Sequence, residues 1–380
     1  MHLCTMMYEI FDREGIDLVS SLPCNKLQDL LGNLPDRFRH IHLTREENGV
    51  GISAGACLTS GKPLMLIQST GLGNSINALA SVHKAYRLPL PIIATWRGSK
   101  SDPFPNQIPL GKALPGIFTA LEIPYAVIEN QGQISEVAKA IRDSFLQSTP
   151  YIILICPEFW DANEDKMTRP AFETRKRCVQ LAYEGKFDDP ELNRREAIET
   201  MLDVFRDAIV LATIGQTCDD LYQVGDRDLN FYVMGAMGQA SAIGLGMAVN
   251  TRRRVYVLDG DGSLLMNPNI FCEISATGPA NLTTIVLDNG TYGTTGDQRT
   301  GAYDRIDLEL VARSFGIKNT TKASTKTEIA QALESLGEGP NLLHIPIKPG
   351  KSEGRPALTP VQMKERFIKA LSRTPLKSLG

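Results

Sequence analysis

Short apolar runs alternate along most of the chain with longer stretches that have helical character. The runs are rich in Ile, Leu and Val, have the length of single strands, and lie at 64–67, 91–94, 151–155, 208–211, 255–258, 282–287 and 342–345. Strands that are apolar throughout are buried on both faces, which is typical of parallel sheets covered by helices. The pattern therefore predicts an α/β protein built from parallel sheets with flanking helices.

The strand pattern stops between residues 161 and 192. This stretch is polar, contains the charged segments 163–166 and 186–190, and shows no strand pattern, which predicts a linker. We therefore expect two α/β domains of similar size, at 1–160 and 193–380. A chain of 380 residues is long enough to give each of them its own hydrophobic core.

Composition and charge exclude several classes of function. The chain is 42% hydrophobic and 22% charged with a net charge of −3, which is ordinary for a globular protein. It has neither the basic stripe of a nucleic-acid-binding protein nor an apolar run of roughly 20 residues that would cross a membrane. Its seven cysteines are scattered without a CxxC pair, and no secretion signal is visible. We therefore expect reduced thiols, a cytoplasmic location, and no nucleic-acid or membrane partner.

Polar residues follow two of the predicted strands. Asp261 lies in a Gly-Asp-Gly turn after the run at 255–258, and 25 residues beyond that turn comes Asp288-Asn289-Gly290, after a second run. A Gly-Asp-Gly turn alone is an ordinary loop sequence, but a carboxylate and an amide at two strand ends suit a hard cation. Glycines also let phosphate groups approach the backbone. The spacing therefore predicts a site for Mg²⁺ that carries a diphosphate.

A second candidate lies in the first domain. Glu46 precedes a stretch of very small residues that includes Gly49, Gly51 and Gly55, which predicts a helix that other backbone or a flat ligand can approach closely. The helix dipole alone also favours an acid in the first turn, so this segment by itself leaves both interpretations open. We expect the neighbouring Glu47 to face solvent.

Together these motifs resemble those of the thiamine diphosphate-dependent decarboxylases. In that family a Gly-Asp-Gly motif is followed at this spacing by a pair of Asn residues; here Asp288 replaces the first, and Asn289 keeps the ligand position. Glu46 matches the family's catalytic acid, nine positions before Gly55. The resemblance covers nearly the whole chain. It implies two thiamine diphosphate-binding domains, one for the pyrimidine and one for the diphosphate, without the central domain of larger members.

The resemblance also implies ligands for the metal and the diphosphate. Mg²⁺ would be bound by the Asp261 carboxylate, the Asn289 side chain and the Thr291 carbonyl. The residues expected to bind the diphosphate part of the cofactor are Gly215, Gln216, Thr217, Gly260, Gly262 and Ser263. The role of Asp288 stays open.

Three further residues would act on the rest of the cofactor. The Glu46 carboxyl would hydrogen-bond to the aminopyrimidine ring and so help to remove the proton from C2 of the thiazolium. The Gly235 carbonyl would hold the pyrimidine amino group, and Met237 would bend the cofactor. Both lie in a glycine-rich segment that also suits a simple turn into a core helix.

Because it has no central domain, the chain resembles the decarboxylases of three-carbon 2-oxo acids with a terminal sulfonate or phosphonate. The sequences around Asn25 and Glu46 favour sulfopyruvate. The single chain favours phosphonopyruvate, since the sulfopyruvate enzymes often consist of two separate subunits, which would here be fused. We expect decarboxylation of 3-sulfopyruvate to sulfoacetaldehyde and CO₂, as in coenzyme M synthesis in methanogens, with phosphonopyruvate as the alternative substrate.

Candidate substrate ligands are Asn25, Gln68 and Arg97. Asn25 also suits a helix cap, and Arg97 also suits a structural ion pair, so both interpretations stay open. Gln68 and Asn74 are candidates to orient the substrate carboxylate or the cofactor.

The family resemblance implies a homo-oligomer, at least a dimer, because the cofactor lies there between the first domain of one subunit and the second domain of another. Glu46 and Asp261 would then meet at a subunit interface. Two other classes remain as alternatives. One is a non-catalytic thiamine diphosphate-binding regulatory protein, which would not need Glu46. The other is a nucleotide-binding Rossmann enzyme based on Gly71-Leu72-Gly73, whose glycine spacing is incomplete.

Overall fold

The computed structural model describes residues 3–99, 102, 104–161 and 189–373. Contacts between Cα atoms divide the chain into a first unit, Met1–Lys176, and a second unit, Arg177–Gly380. Most of the predicted linker at 161–192 lies outside the described residues.

The first unit contains a six-stranded parallel sheet with the strand order β2-β1-β3-β4-β6-β5. Its strands are β1 Leu18–Ser21, β2 Arg39–His42, β3 Pro63–Gln68, β4 Leu90–Thr95, β5 Tyr125–Ile128 and β6 Pro150–Ile155. Its helices are α1 Leu3–Glu14, α2 Gln28–Gly32, α3 Glu46–Leu58, α4 Thr70–Ala78, α5 Ile108–Ala120, α6 Ile134–Gln147 and α7 Pro157–Asp161, with a π-helical segment at Leu79–Lys84 and a 3₁₀ turn at Gln131–Gln133. The three predicted apolar runs of this half form β3, β4 and β6, three of the four inner strands, which are almost wholly buried.

The second unit contains another six-stranded parallel sheet, with the order β13-β14-β10-β9-β7-β8, and a two-stranded ribbon of β11 and β12. Its strands are β7 Ile209–Ala212, β8 Asn230–Tyr232, β9 Val255–Gly260, β10 Leu282–Asp288, β11 Thr291–Tyr292, β12 Gln298–Arg299, β13 Asn319–Lys322 and β14 Asn341–Pro346. Its helices are α8 Arg194–Phe205, α9 Gln216–Gly225, α10 Ala240–Asn250, α11 Asp261–Met266, α12 Ile270–Thr277, α13 Leu308–Ser314, α14 Lys326–Ser335 and α15 Pro360–Arg373, with a 3₁₀ turn at Gly301–Tyr303.

The predicted fold class is confirmed, because each unit is a parallel sheet with helices between its strands. Parallel strands end at the same edge of a sheet, where ligands of open α/β sheets bind. In the second unit the candidate residues follow the ends of β7, β8, β9 and β10, which are neighbours in the sheet. The topology therefore brings together residues that are far apart in sequence.

Two further observations concern the described residues alone. None of their helices combines the length and apolar character that a membrane crossing requires. Their cysteines, Cys4, Cys24, Cys57, Cys156, Cys218 and Cys272, are free thiols. Cys178 lies outside the described residues.

Candidate active site

The Asn289 side-chain amide meets two oxygens where β9 and β10 end. One end of the amide lies 3.1 Å from Oδ1 of Asp261 and 2.9 Å from the carbonyl oxygen of Thr291. With its nitrogen at this end the amide donates to both oxygens, and with its oxygen there the three groups can surround a cation. A carboxylate, an amide and a carbonyl are hard oxygen ligands of the kind that Mg²⁺ prefers. The residues predicted to bind Mg²⁺ therefore lie together and fit such an ion.

The charge around Asp261 supports the same interpretation. Asp261 is almost completely buried, and its Oδ2 accepts a hydrogen bond from the Thr300 hydroxyl at 2.5 Å. Burial, followed by the repulsion of the Asp288 carboxylate, raises the pKa of Asp261 to about 7. A buried carboxylate with this pKa is costly to ionise without a positive partner, and a bound cation supplies one.

The predicted diphosphate residues lie around this cluster. Gly215 has φ of +96°, and a Cβ there would approach Thr294 Oγ1 to 2.9 Å, so the chain enters α9 by a path that favours glycine. A Cβ on Gly293, two residues beyond Thr291, would lie 2.9 Å from Oε1 of Gln216. Gln216 at the start of α9 is therefore close to the loop that carries the predicted cation ligands. The N–H groups of the first turn of α9 are available for an anion.

Ser263 connects three parts of the same edge. Its Oγ lies 2.9 Å from Oγ1 of Thr213, which follows β7, and it accepts a hydrogen bond from the Gly238 amide at 3.1 Å. Gly238 in turn accepts from Asn267 Nδ2 at 3.0 Å. The turn after β8, which carries Gly235 and Met237, is thus bonded to α11. The contacts of Gly235 and Met237 with the cofactor stay predictions.

The same turn contains a backbone feature that the sequence did not reveal. Ala236, between Gly235 and Met237, has φ of +48°. The left-handed conformation costs a residue with a Cβ about 1–3 kcal/mol, and such strain is concentrated at functional sites. An alanine in this position carries no signal of positive φ, so sequence reasoning had no means of finding it.

In the first unit, Glu46 begins α3 and its side chain meets α4. Nδ2 of Asn74 donates to Oε2 of Glu46 at 3.1 Å. A Cβ added to Gly71 would lie 2.3 Å from both Cγ and Oε1 of Glu46, so only glycine leaves room for this carboxyl group. Gly71 and Asn74 therefore fix the carboxyl of Glu46 against the first turns of α4. Gly71 was considered above only as part of an incomplete nucleotide-binding motif.

The expectation that Glu47 faces solvent is wrong. Glu47 is 8% exposed and forms a salt bridge with Nη2 of Arg45 at 2.8 Å. Burial raises its pKa, and the positive charge of Arg45 acts in the opposite direction. The small residues of α3 allow close packing all round, and every residue of the helix except Cys57 is buried. A helix that is buried on all sides has no solvent-facing side, so Glu47 is buried like its neighbour Glu46.

We expect Gly71→Ala to reduce activity through Glu46. The new methyl group would displace the carboxyl, and a misplacement of about 1 Å at a reacting group typically lowers the rate about 100-fold. Gly116→Ala on α5 is the matched control, because a Cβ at Gly116 meets nothing within 4 Å. The measurement is the turnover rate together with the melting temperature. A folded Gly71→Ala variant with the activity of the control would contradict the contact.

The three candidate substrate residues also lie together. Nη1 of Arg97 donates to Oδ1 of Asn25 at 3.3 Å and to Oε1 of Gln68 at 3.4 Å. The rest of the Arg97 guanidinium is bound by Asp102, which accepts from Nε at 2.8 Å and from Nη2 at 3.3 Å. This hydrogen bonding to Asp102 raises the pKa of Arg97. Arg97 is thus both a member of the predicted cluster and one half of a buried ion pair.

The helix-cap interpretation of Asn25 does not hold. The helix α2 begins at Gln28, its N-cap is Leu27, and no side chain caps it. Asn25 is exposed, and its oxygen accepts from Arg97 instead.

Comparisons with known proteins agree with this geometry. Residues 1–115 match the family model described as thiamine pyrophosphate enzyme, N-terminal TPP binding domain, and residues 213–345 match the corresponding C-terminal TPP binding domain. Thiamine pyrophosphate is another name for thiamine diphosphate. Benzoylformate decarboxylase from Polynucleobacter necessarius has a similar fold, with a TM-score of 0.70, 12% sequence identity, and coverage of 93% of this chain and 100% of that one.

Two relatives match along nearly their full length. A sulfopyruvate decarboxylase from Methanosarcina acetivorans is 41% identical over 96% of this chain and 96% of its own. A phosphonopyruvate decarboxylase from Streptomyces viridochromogenes is 32% identical over 95% of this chain and 92% of its own.

Parts of the chain also match separate subunits of sulfopyruvate decarboxylase from Methanothermobacter thermautotrophicus. The beta subunit is 43% identical over 47% of this chain and 95% of its own, and the alpha subunit is 32% identical over 38% and 90%. The predicted fusion of two subunit-like halves is thereby confirmed. The chain therefore belongs to the thiamine pyrophosphate enzyme family, in the group that contains these sulfopyruvate and phosphonopyruvate decarboxylases.

Proposed function

We propose that the chain catalyses the non-oxidative decarboxylation of 3-sulfopyruvate to sulfoacetaldehyde and CO₂, with thiamine diphosphate and Mg²⁺. The observation that carries the proposal is that the Asp261 carboxylate, the Asn289 amide and the Thr291 carbonyl lie together at the edge of the second sheet. The 41% identity to a sulfopyruvate decarboxylase over 96% of the chain supports the choice of reaction.

Bound thiamine diphosphate supplies the carbon nucleophile and the electron sink that decarboxylation of a 2-oxo acid requires. The residues of the chain would do the rest. Asp261, Asn289 and Thr291 would hold Mg²⁺, and the residues Gly215, Gln216, Thr217, Gly260, Gly262 and Ser263 would surround the diphosphate. Gly235 and Met237 would orient the cofactor's rings.

Glu46 would hold and return the proton that the aminopyrimidine exchanges. Asn74 donates to Oε2, and the other carboxyl oxygen lies where a Cβ at Gly71 would be, so the acid is positioned against α4. Such preorganisation is what general acid–base catalysis requires. A protein that bound the cofactor only for regulation would have no need for a fixed acid at this place.

The charge of the Asn25, Gln68 and Arg97 cluster favours sulfonate over phosphonate. Asp102 already offsets the positive charge of Arg97, and the side chains of Asn25 and Gln68 add none. A sulfonate carries one negative charge, whereas a phosphonate, like a phosphate group, carries about 1.5 to 2 at pH 7. A cluster with little net positive charge therefore suits the monoanion better.

We expect kcat/KM for sulfopyruvate to exceed that for phosphonopyruvate, and both to exceed that for pyruvate, each by about tenfold or more. CO₂ release from the three acids, with added cofactor and Mg²⁺, gives the ratios. Asp102→Asn, which leaves the charge of Arg97 unpaired, should shift the ratio toward phosphonopyruvate. A wild-type preference for phosphonopyruvate would identify the alternative enzyme. No CO₂ from any of the three would favour the regulatory protein.

We further propose a homo-oligomer, at least a dimer, in which Glu46 of one subunit and Asp261 of another serve the same cofactor. Three large apolar side chains support a covering partner: among the described residues, Ile214, Met234 and Met266 are 39%, 36% and 53% exposed. Ile214 and Met234 follow β7 and β8, and Met266 is the last residue of α11, the helix that Asp261 begins. Exposed apolar groups gathered in one region are typical of contact surfaces.

Several earlier expectations stay proposals. These are the domain boundaries at 1–160 and 193–380 with a linker at 161–192, a cytoplasmic location, and a role in coenzyme M synthesis. The division of the chain into Met1–Lys176 and Arg177–Gly380 supports the first of them.

A further inference from the structure

Asp288 stands next to the cation ligand Asn289, yet its side chain is engaged elsewhere. Its Oδ2 lies 2.8 Å from Nε2 of His344, and its Oδ1 accepts a hydrogen bond from the Gly290 amide at 2.9 Å. His344 is fully buried and Asp288 is 7% exposed. Both carboxylate oxygens are therefore used inside the second unit, one by the turn itself and one by an imidazole.

The contact with His344 links two neighbouring strands at the site. Asp288 ends β10, and His344 lies within β14, the adjacent strand. The Ile347 amide also donates to the Asp288 carbonyl, at 2.8 Å. The side chain of Asp288 is thus held by β14, and its backbone by the residue that directly follows β14.

A second carboxylate lies near the other side of His344. Its Nδ1 is 3.9 Å from Oδ1 of Asp307, and Oδ2 of Asp307 forms a salt bridge with Nζ of Lys322 at 2.7 Å. Lys322 lies opposite His344 in the register of β13 and β14, and Asp307 caps α13. A series of buried and half-buried charged and polar groups therefore extends from β13 to the Asp288–Gly290 turn.

The Asp288–Gly290 turn is also restricted on the side that faces Tyr303. Gly290 has φ of +66°, and a Cβ there would meet the Tyr303 ring at 2.9 Å. The Asp288 carboxylate offers one oxygen to the Gly290 amide and the other to His344, so a single side chain joins the turn to β14.

We propose that Asp288 and His344 are positioning residues of the cation site. They fix the turn so that the Asn289 side chain points to Asp261 and the Thr291 carbonyl. This inference rests on the proposed Mg²⁺ site. The loss of a partner that orients a metal ligand typically lowers metal affinity about 10–100-fold.

The test is the Mg²⁺ concentration that gives half-maximal binding of thiamine diphosphate, measured by calorimetry without substrate. We expect His344→Gln and Asp288→Ala each to raise this concentration about 10–100-fold, and the double variant to add little to either. His83→Gln is the control, because His83 is equally buried but contacts the carbonyls of Val50 and Leu88 in the first unit. It should lower the melting temperature without changing the Mg²⁺ requirement.

Three results would overturn the inference. One is an unchanged Mg²⁺ requirement in the folded single variants. Another is additive effects in the double variant, because residues that act as one pair do not add. The third is failure of both single variants to fold, since a positioning pair leaves the fold intact. If the wild-type chain instead binds the cofactor equally well without any divalent cation, the proposed metal site itself is wrong, and this outcome is distinct from the other three.

Discussion

We expect Glu46→Gln to bind thiamine diphosphate and Mg²⁺ as the wild-type chain does, yet to lose nearly all CO₂ release. Proton transfer by a positioned acid typically contributes about 10²–10⁴-fold to a rate, and a glutamine of the same shape cannot exchange the proton. The Asn74 amide can still donate to the remaining side-chain oxygen, so the local structure should survive. Loss of rate without loss of binding separates a chemical role from a structural one.

The control is Glu47→Gln on the same helical turn. Glu47 is as buried as Glu46 but is paired with Arg45. Its substitution should alter stability more than turnover. Exchange of the cofactor's C2 proton, followed by NMR without substrate, gives a second readout, and it should slow only in Glu46→Gln. Normal exchange in that variant would mean that Glu46 is not the acid.

We expect Asp261→Asn to lose Mg²⁺-dependent binding of the cofactor. The substitution removes the only charged member of the oxygen cluster formed with Asn289 and Thr291. The affinity for Mg²⁺ should fall at least about 100-fold. This is more than we expect from the loss of a residue that only orients a metal ligand. In the cation-free protein the variant should be no less stable, because the buried carboxylate it removes has its pKa raised by burial and by Asp288.

The control for Asp261→Asn is Asp304→Asn. Asp304 is an exposed carboxylate that directly follows the 3₁₀ turn at Gly301–Tyr303. The Asp304→Asn variant should bind Mg²⁺ and the cofactor normally.

Mixing Glu46→Gln with Asp261→Asn subunits tests the oligomer. If each site combines the two residues from different subunits, the mixture should recover part of the activity that each variant lacks. No recovery after verified subunit exchange would argue that both residues come from one chain.

The sequence was sufficient for the fold and for the proximity of Asp261 and Asn289, for a physical reason. Apolar runs such as 255–258 and 282–287 identify buried parallel strands, and parallel strands end at one edge. Residues that directly follow two such runs, here Asp261 and Asn289, must come near each other if the strands are neighbours. The prediction therefore required no knowledge of side-chain packing.

The rest of the site depends on packing that no local pattern encodes. The Asp288–His344 contact joins residues 56 positions apart, and its existence depends on which strand lies beside β10. The role of Gly71 depends on the place where the Glu46 carboxyl lies. The wrong expectation for Glu47 has the same origin, because a helix of small residues is buried all round.

The central claim is that this chain decarboxylates sulfopyruvate with thiamine diphosphate and Mg²⁺. The most direct test supplies the purified chain with sulfopyruvate labelled at its carboxyl carbon, and measures labelled CO₂ and sulfoacetaldehyde. We predict equal amounts of both products, and that omission of either the cofactor or the divalent cation abolishes their formation. Product formation that persists after the cofactor has been removed, or no product from the fully loaded protein, would contradict the account.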